Sequence, residues 1–264
     1  MAFARLGGID LHWQAFGAAE RPAVVFANSL GTDLRLWLPV AARLAPRWRV
    51  VLADLRGHGL STSAPGPVAI ADLAGDVTAL ADHLGLSRFA FVGLSIGGLI
   101  GQALALAAPE RLAALVLANT AARIGSAESW AERIAAVERS GMAGLADAVT
   151  ARWFAPGFAT ASPAAAAGWR RMLVETPAAG YAAACAAIAA ADFTGQLGAI
   201  ATPTLVVAGD GDRATPPDLV AATAAAIPGS RFVTLTECGH LPPAERPEAF
   251  ADLVARHLTE CGHV

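Results

Sequence analysis

The chain has 264 residues, 55% hydrophobic and 16% charged, with a formal charge of −3. That length suits one large α/β domain carrying an insertion, or two small domains, and so apolar a chain can bury a sizeable core and is not intrinsically disordered. All 19 basic residues are arginine, a genomic composition bias, and no basic run is visible, so nucleic acid is not an expected partner.

Residues 2–6 and 9–16 read as two strands around Gly7-Gly8, a hairpin suited to a sheet edge. An apolar run over 23–27 ends in Asn28-Ser29-Leu30-Gly31-Thr32, and helical spacing over 34–44 stops at Pro46. Residues 50–53 form the next strand, with Asp54-Leu55-Arg56-Gly57-His58-Gly59-Leu60-Ser61 as the loop beyond it. The spacing predicts an amphipathic helix over 69–84, with Asp72, Asp76 and Asp82 on its polar side. A short apolar strand over 88–92 then leads into Gly93-Leu94-Ser95-Ile96-Gly97, a helical pattern over 99–108 closed by Pro109, and a buried strand over 112–118. Continuous apolar strands alternating with helices indicate a parallel sheet covered on both faces.

The alternation breaks at about residue 121. From there to 195 the pattern is helical, with Trp130, Trp153, Trp169 and alanine runs such as 164–167, alanine being the best helix former. An insertion at the carboxyl ends of the strands would lie over a site as a cap. Strands return over 204–208 and 231–235, each followed by a helix. The expected division is therefore a core of 1–120 and 196–264 with a helical cap of 121–195.

Met1-Ala2-Phe3-Ala4-Arg5 lacks the layout of a signal peptide, and no stretch has the length and apolarity of a membrane span. Cys185, Cys238 and Cys261 are odd in number and lack metal-ligand spacing, so they read as reduced thiols in a cytoplasmic protein. Neither a metal nor a membrane partner is expected.

Strand, G-x-S-x-G, helix is the nucleophile elbow, a sharp turn that lifts a serine clear of the sheet end. The helix starting after Ser95 adds unpaired N–H groups where an oxyanion would form. Ser95 needs a general base, and six histidines are available. His12, His83, His257 and His263 lie in an early strand, an amphipathic helix, the last helix and the tail, and read as structural or solvated. The glycine loop around His58 reads as backbone shape. His240 differs because Glu237-Cys238-Gly239-His240 follows the last strand, at the same sheet edge as Ser95. The base needs an acid to fix its tautomer, and Gly209-Asp210-Gly211-Asp212-Arg213 offers two. Asp212 lies deeper in the loop and is preferred, whereas Asp210 suits a turn-holding role. The order Ser95, Asp212, His240 is that of the α/β hydrolases. The oxyanion donors expected are the N–H groups of Ile96 and Leu30.

These motifs resemble the α/β-hydrolase superfamily and, within it, the 3-oxoadipate enol-lactonases. The 54–61 loop, Gly93–Gly98 and Gly239-His240 occur across the superfamily. More specific are 28–32, Ala122-Arg123-Ile124-Gly125-Ser126-Ala127-Glu128-Ser129-Trp130, Arg152-Trp153-Phe154 and the 180–188 stretch from Gly180 to Ile188. The resemblance implies a mostly parallel eight-stranded sheet with helices on both faces and a helical cap after the sixth strand. It implies hydrolysis of 3-oxoadipate enol-lactone through an acyl-enzyme in aromatic-compound catabolism, with no cofactor. Where the family pattern continues with Arg-Asp after Ile188, this chain has Ala189-Ala190, a departure that bears on substrate preference. Rival readings are a general carboxylesterase, a cofactor-free perhydrolase, or a ligand-binding protein without catalysis. The enol-lactone carries a carboxylate, and with no lysine its partner would be an arginine. Arg133 is the first expectation and Arg123 the second, with Trp130 against the ring; a rim of Asn28, Ser29 and backbone N–H groups is the alternative.

Overall fold

In the computed structural model, residues 2–63 and 66–264 are described. Met1, where the expected core begins, and 64–65 within it lie outside the described residues. The chain opens with the hairpin β1 (Ala2–Leu6) and β2 (Ile9–Phe16), antiparallel about Gly7-Gly8. β3 (Ala23–Ala27) and β4 (Arg49–Ala53) follow, then β5 (Phe89–Leu94), β6 (Leu112–Ala118), β7 (Thr204–Gly209) and β8 (Arg231–Leu235). These eight described strands form one sheet in the order β1-β2-β4-β3-β5-β6-β7-β8. β2 meets β4 antiparallel, and from β4 to β8 every pairing is parallel.

Every residue of β3 and β5 is buried. Side chains alternate between the two faces of a strand, so such runs require cover on both. The cover comes from α1 (Leu38–Leu44), α2 (Ile70–His83) and α3 (Ile96–Ala107), and from later helices that follow β7 and β8. α1 packs on the C-terminal helix and α2 on α3. The helical spacing over 34–44 resolves into a 3₁₀ turn, Leu34–Trp37, and then α1. Pro39 in the first turn of α1 has no N–H to offer the preceding residues, so the α-helix restarts there.

One polar expectation on α2 is corrected. Asp76 is buried, because Arg56 of the loop after β4 folds over it and donates from Nε and Nη2 at 2.7 and 2.6 Å. A helical wheel cannot anticipate a partner that arrives from a distant loop.

Between β6 and β7 the described residues contain helices and no strand. α4 (Ala127–Thr150) starts at a reciprocal cap, in which the Ser126 and Ser129 hydroxyls accept each other's N–H. It bends at Gly141, whose φ of 64° is non-helical. α5 (Phe158–Ala161), α6 (Pro163–Glu175) and α7 (Ala178–Ala190) complete this layer, with α4 packed on both α6 and α7. The chain then adds α8 (Pro217–Ala225) after β7, and α9 (Pro242–Glu245) and α10 (Pro247–Glu260) after β8. No single helix among the described residues is long and apolar enough to cross a membrane.

Candidate active site

The site begins at the C-terminal end of β5, between β3 and β6. Ser95 stands there with φ 59° and ψ −114°, a strained backbone for a residue with a side chain. The strain is accommodated because its neighbours are glycine. A Cβ on Gly93 would collide with the Gly97 carbonyl, and one on Gly97 would collide with the Ala27 carbonyl of β3. α3 begins at Ile96, immediately after Ser95 and three residues before the helical pattern predicted from Leu99. The apolar periodicity starts late because Gly97 and Gly98 carry no side chain to display it.

His240 lies in the loop after β8 and Asp212 in the loop after β7, both buried. Their side chains meet, with His240 Nδ1 2.8 Å from Asp212 Oδ2. That carboxylate is densely solvated by protein. Oδ1 accepts the N–H groups of Ala214 and Thr215 at 2.7 and 3.0 Å; Oδ2 also accepts Asn119 Nδ2 at 2.8 Å and the Thr215 hydroxyl at 2.7 Å. Burial alone would push the Asp212 carboxyl up. The charge and hydrogen bonds of His240, with Asn119 and Thr215, outweigh it and hold the carboxyl below its ordinary value. With Nδ1 committed to the acid, Nε2 is the nitrogen left to act on a hydroxyl. Asp210 is exposed and accepts the Cys238 N–H at 3.1 Å, a contact that holds the turn.

Leu30 sits in the loop after β3, where the Ser29 carbonyl accepts both the N–H and the hydroxyl of Thr32, and Gly31 takes a φ of 76°. The N–H groups of Leu30 and Ile96 have no hydrogen-bond partner among the described residues. Asn28 does not join the rim. It is buried, and its Oδ1 accepts Trp37 Nε1 at 3.0 Å.

Ser95 and His240 line one cavity of about 110 Å³, together with Ser29, Leu30 and Thr215 from the sheet side. The helical layer contributes Ile124, Gly125, Ser129, Trp130, Arg133, Val149, Arg152, Trp153 and Tyr181. Trp130 is locked by its Nε1, which donates to the Ile124 carbonyl at 2.6 Å. Arg133 stacks over that indole, 4.9 Å from the ring centre, and Nη1 reaches the Tyr181 hydroxyl at 3.5 Å. Burial pushes the Tyr181 phenol up to about 12, so it stays a proton donor through the physiological range.

Arg152 was not singled out from the sequence as a contact. It enters the cavity beside Arg133, and both its burial and that neighbouring charge push its pKa down. Arg133 and Arg152 form no ion pair among the described residues. Arg152, exposed over the residue as a whole, donates to the Arg213 carbonyl from Nε and Nη2 at 3.3 and 3.0 Å, and feels the charge of the Asp212 carboxylate. The only signal in the sequence was the Arg152-Trp153-Phe154 stretch. Arg123 is a correction. Its side chain is 52% exposed and lies 3.7 Å from Asp192 at the surface, outside the cavity. Trp130 follows it by seven residues but faces inward, because the chain turns at Gly125 (φ 69°) before α4 begins. Ala189 is half-buried, Ala190 is exposed and neither lines the cavity, so the departure after Ile188 falls away from the site.

The other histidines are occupied elsewhere. His12 is buried with Nδ1 2.7 Å from Asp54 Oδ2, a partner the strand pattern could not reveal. His58 is buried in its glycine loop, and burial lowers its pKa. His257 Nε2 meets the Pro203 carbonyl at 3.2 Å.

A sequence profile described as alpha/beta hydrolase fold matches residues 22–247. The chain belongs to that family. It is 40% identical to 3-oxoadipate enol-lactonase 2 of Acinetobacter baylyi over 242 residues, covering 92% of this chain and 90% of that one. It is also similar to the crystal structure of the enol-lactonase from Burkholderia xenovorans LB400, with a TM-score of 0.95 and 42% identity over 98% of this α/β hydrolase and all of that chain. A thermophilic esterase from Thermogutta terrifontis superposes with a TM-score of 0.92 at 31% identity, covering 100% of this chain and 99% of its own.

Proposed function

We propose that this α/β hydrolase is a 3-oxoadipate enol-lactonase acting in aromatic-compound catabolism. The observation that carries the substrate is a pair of arginines without an ion-pair partner among the described residues, Arg133 and Arg152, in the same cavity as Ser95 and His240. Arg133 is half-buried and Arg152 exposed at the cavity, and guanidinium groups without an ion-pair partner favour an anion, which a lactone with a free carboxylate supplies. The similarity to enol-lactonases over nine-tenths or more of the chain supports the same reading.

In this mechanism Ser95 Oγ attacks the lactone carbonyl while His240 Nε2 takes its proton, and Asp212 stabilises the imidazolium. The N–H groups of Leu30 and Ile96 receive the oxyanion. Collapse breaks the ring C–O bond and gives an acyl-enzyme whose leaving oxygen is an enolate, a better leaving group than an alkoxide; the proton returns from His240. Water then adds to the acyl carbon with its proton passing to His240, Ser95 is released, and the enol tautomerises to the ketone. The sum is lactone plus water to 3-oxoadipate, with no redox change and no cofactor.

Residues 121–195 act as a cap in this reading, carrying Trp130 against the ring and the arginines against the carboxylate. Three free thiols, Cys185 pushed up to about 12 by burial, fit a protein of the reducing cytoplasm. The likeness to the thermophilic esterase favours one second reading, a general carboxylesterase. Comparing kcat/KM on the enol-lactone and on phenyl acetate decides between them. The lactonase reading expects a preference of at least about 10-fold for the anionic lactone, the lower size of one charged hydrogen bond; equal efficiency on both overturns it.

A further inference from the structure

Gly239, the residue before His240, is held at both ends of its backbone. Its N–H donates to Glu245 Oε1 at 2.8 Å, and its carbonyl accepts Asn119 Nδ2 at 3.1 Å. The other oxygen of Glu245, Oε2, accepts the Ala155 N–H at 2.8 Å. Two residues before Ala155, the Trp153 carbonyl accepts the His240 N–H at 2.7 Å. The contacts close a ring: Glu245, Gly239, His240, Trp153, Ala155 and back to Glu245. One carboxylate thereby ties the loop of the proposed base to the chain leaving α4, and Trp153 is itself part of the cavity wall.

The junction has no slack. A Cβ on Gly239 would come within 2.6 Å of the Trp153 carbonyl oxygen and of the Ala155 nitrogen. The adjacent Arg246 donates to Glu237 at 2.7 Å and acts on Glu245 only through its charge. Burial pushes the Glu245 carboxyl up, and its two backbone hydrogen bonds work against that. Glu245 is half-buried, and a carboxylate partly withdrawn from water onto two backbone amides is a costlier way to hold a loop than apolar packing. What it adds is direction, because each oxygen fixes a different segment.

We propose that Glu245 is a positioning residue for His240. It sets the imidazole relative to Ser95 by clamping the histidine loop against the helical layer, while Asn119 holds the same loop from the Asp212 side. Proton transfer from Ser95 needs Nε2 at hydrogen-bond distance, and a misplacement of about 1 Å costs on the order of 100-fold in rate. The proposal rests on reading Ser95, Asp212 and His240 as the catalytic set.

The test is Glu245→Gln in the full-length protein, which keeps size but turns one accepting oxygen into an NH₂ aimed at a backbone N–H. On phenyl acetate, kcat is expected to fall roughly 10- to 100-fold while KM stays within about twofold. The downfield proton resonance of His240 Nδ1–H, which reports the bond to Asp212, is expected to shift or broaden. Asp76→Asn is the control. It breaks the buried pair with Arg56 on α2 and should lower the melting temperature with kcat unchanged. Wild-type kcat in Glu245→Gln overturns the proposal, as does lost stability with an unmoved resonance and full turnover. Ser95→Ala separates the two levels. If that variant stays active, the catalytic set is wrong; if it is dead while Glu245→Gln is normal, only the clamp is wrong.

Discussion

The two halves of the cavity wall are built on different principles. On the sheet side, Ser95, Asp212 and His240 follow three parallel strands, of which β5 and β7 are entirely buried and β8 is a half-exposed edge strand. Each of the three is fixed by backbone geometry or by several hydrogen bonds. On the helical side, the lining comes from alanine-rich helices and loops, where Arg133 stacks on Trp130 and reaches Tyr181 by one long contact, while Arg152 donates to the Arg213 carbonyl. A rigid frame suits bond making and breaking, which tolerates little misplacement. The looser wall suits recognition, where a change of side chain alters the preferred substrate without disturbing the reaction. If this division is right, substitutions on the sheet side should abolish turnover of every ester, and those on the helical side should discriminate among esters.

The largest effect expected is from Ser95→Ala, which should reduce kcat by about 10⁴- to 10⁶-fold on the enol-lactone and phenyl acetate alike. A folded variant that retains turnover of one of them would break the division at its centre.

Asp212→Asn comes next. An amide at that position favours the wrong histidine tautomer, an effect of about 10⁴-fold in the serine protease case. Asp210→Asn should cost little, since its carboxylate only caps the Cys238 N–H. The same pair offers a pH test. A carboxyl held below its ordinary value contributes stability that is complete above the unfolded pKa and is lost as the pH falls through the folded one. The gap in melting temperature between wild type and Asp212→Asn should therefore be full at neutral pH and narrow on acidification below about pH 4. A gap that is constant from neutral pH into that range would mean the aspartate gains nothing from its partners.

The contrast between the two walls also explains what could be read before the structure. Strand ends are legible because a buried parallel strand is a continuous apolar run and the loop after it starts where the run stops. Residues at the carboxyl edge of the sheet thus declare themselves, as Ser95, Asp212 and His240 do. The glycines around Ser95 add their own signature. Contacts made across the fold leave no such trace. Nothing local to Asp76 reveals Arg56, nothing in the β2 pattern reveals the His12–Asp54 pair, and Glu245 is silent until the loop before it is seen to fold back. In the helical layer the sequence shows the helices but not where Arg123 points. Arg123 precedes the Gly125 turn, so the periodicity of α4 does not extend to it, while Arg152 lies just beyond the helix end, where no periodicity applies.

The smallest effects, and the sharpest use of the comparison, belong to the three arginines. Arg133 and Arg152 line one cavity and neither forms an ion pair among the described residues, so both guanidinium groups are available to an anion that enters. Replacing either by alanine should raise KM for the anionic enol-lactone by roughly 10- to 100-fold, matching a charged hydrogen bond of about 1.5–3 kcal/mol. Turnover of neutral phenyl acetate should hardly change, because its binding calls on no cation. Arg133 has a second role that separates it from Arg152. It lies over the Trp130 ring, so Arg133→Ala also removes a stacking partner from the wall and should weaken neutral aromatic esters slightly, by no more than the ~1 kcal/mol of an exposed cation–π contact. Arg123→Ala is the control at the bottom of the scale. Its guanidinium faces Asp192 in solvent, and an exposed pair at 3.7 Å is worth at most about 1 kcal/mol of stability and nothing in KM. A rise in KM for the enol-lactone in Arg123→Ala, with Arg133→Ala and Arg152→Ala unaffected, would move the carboxylate site out of the cavity and reverse the assignment of the helical wall.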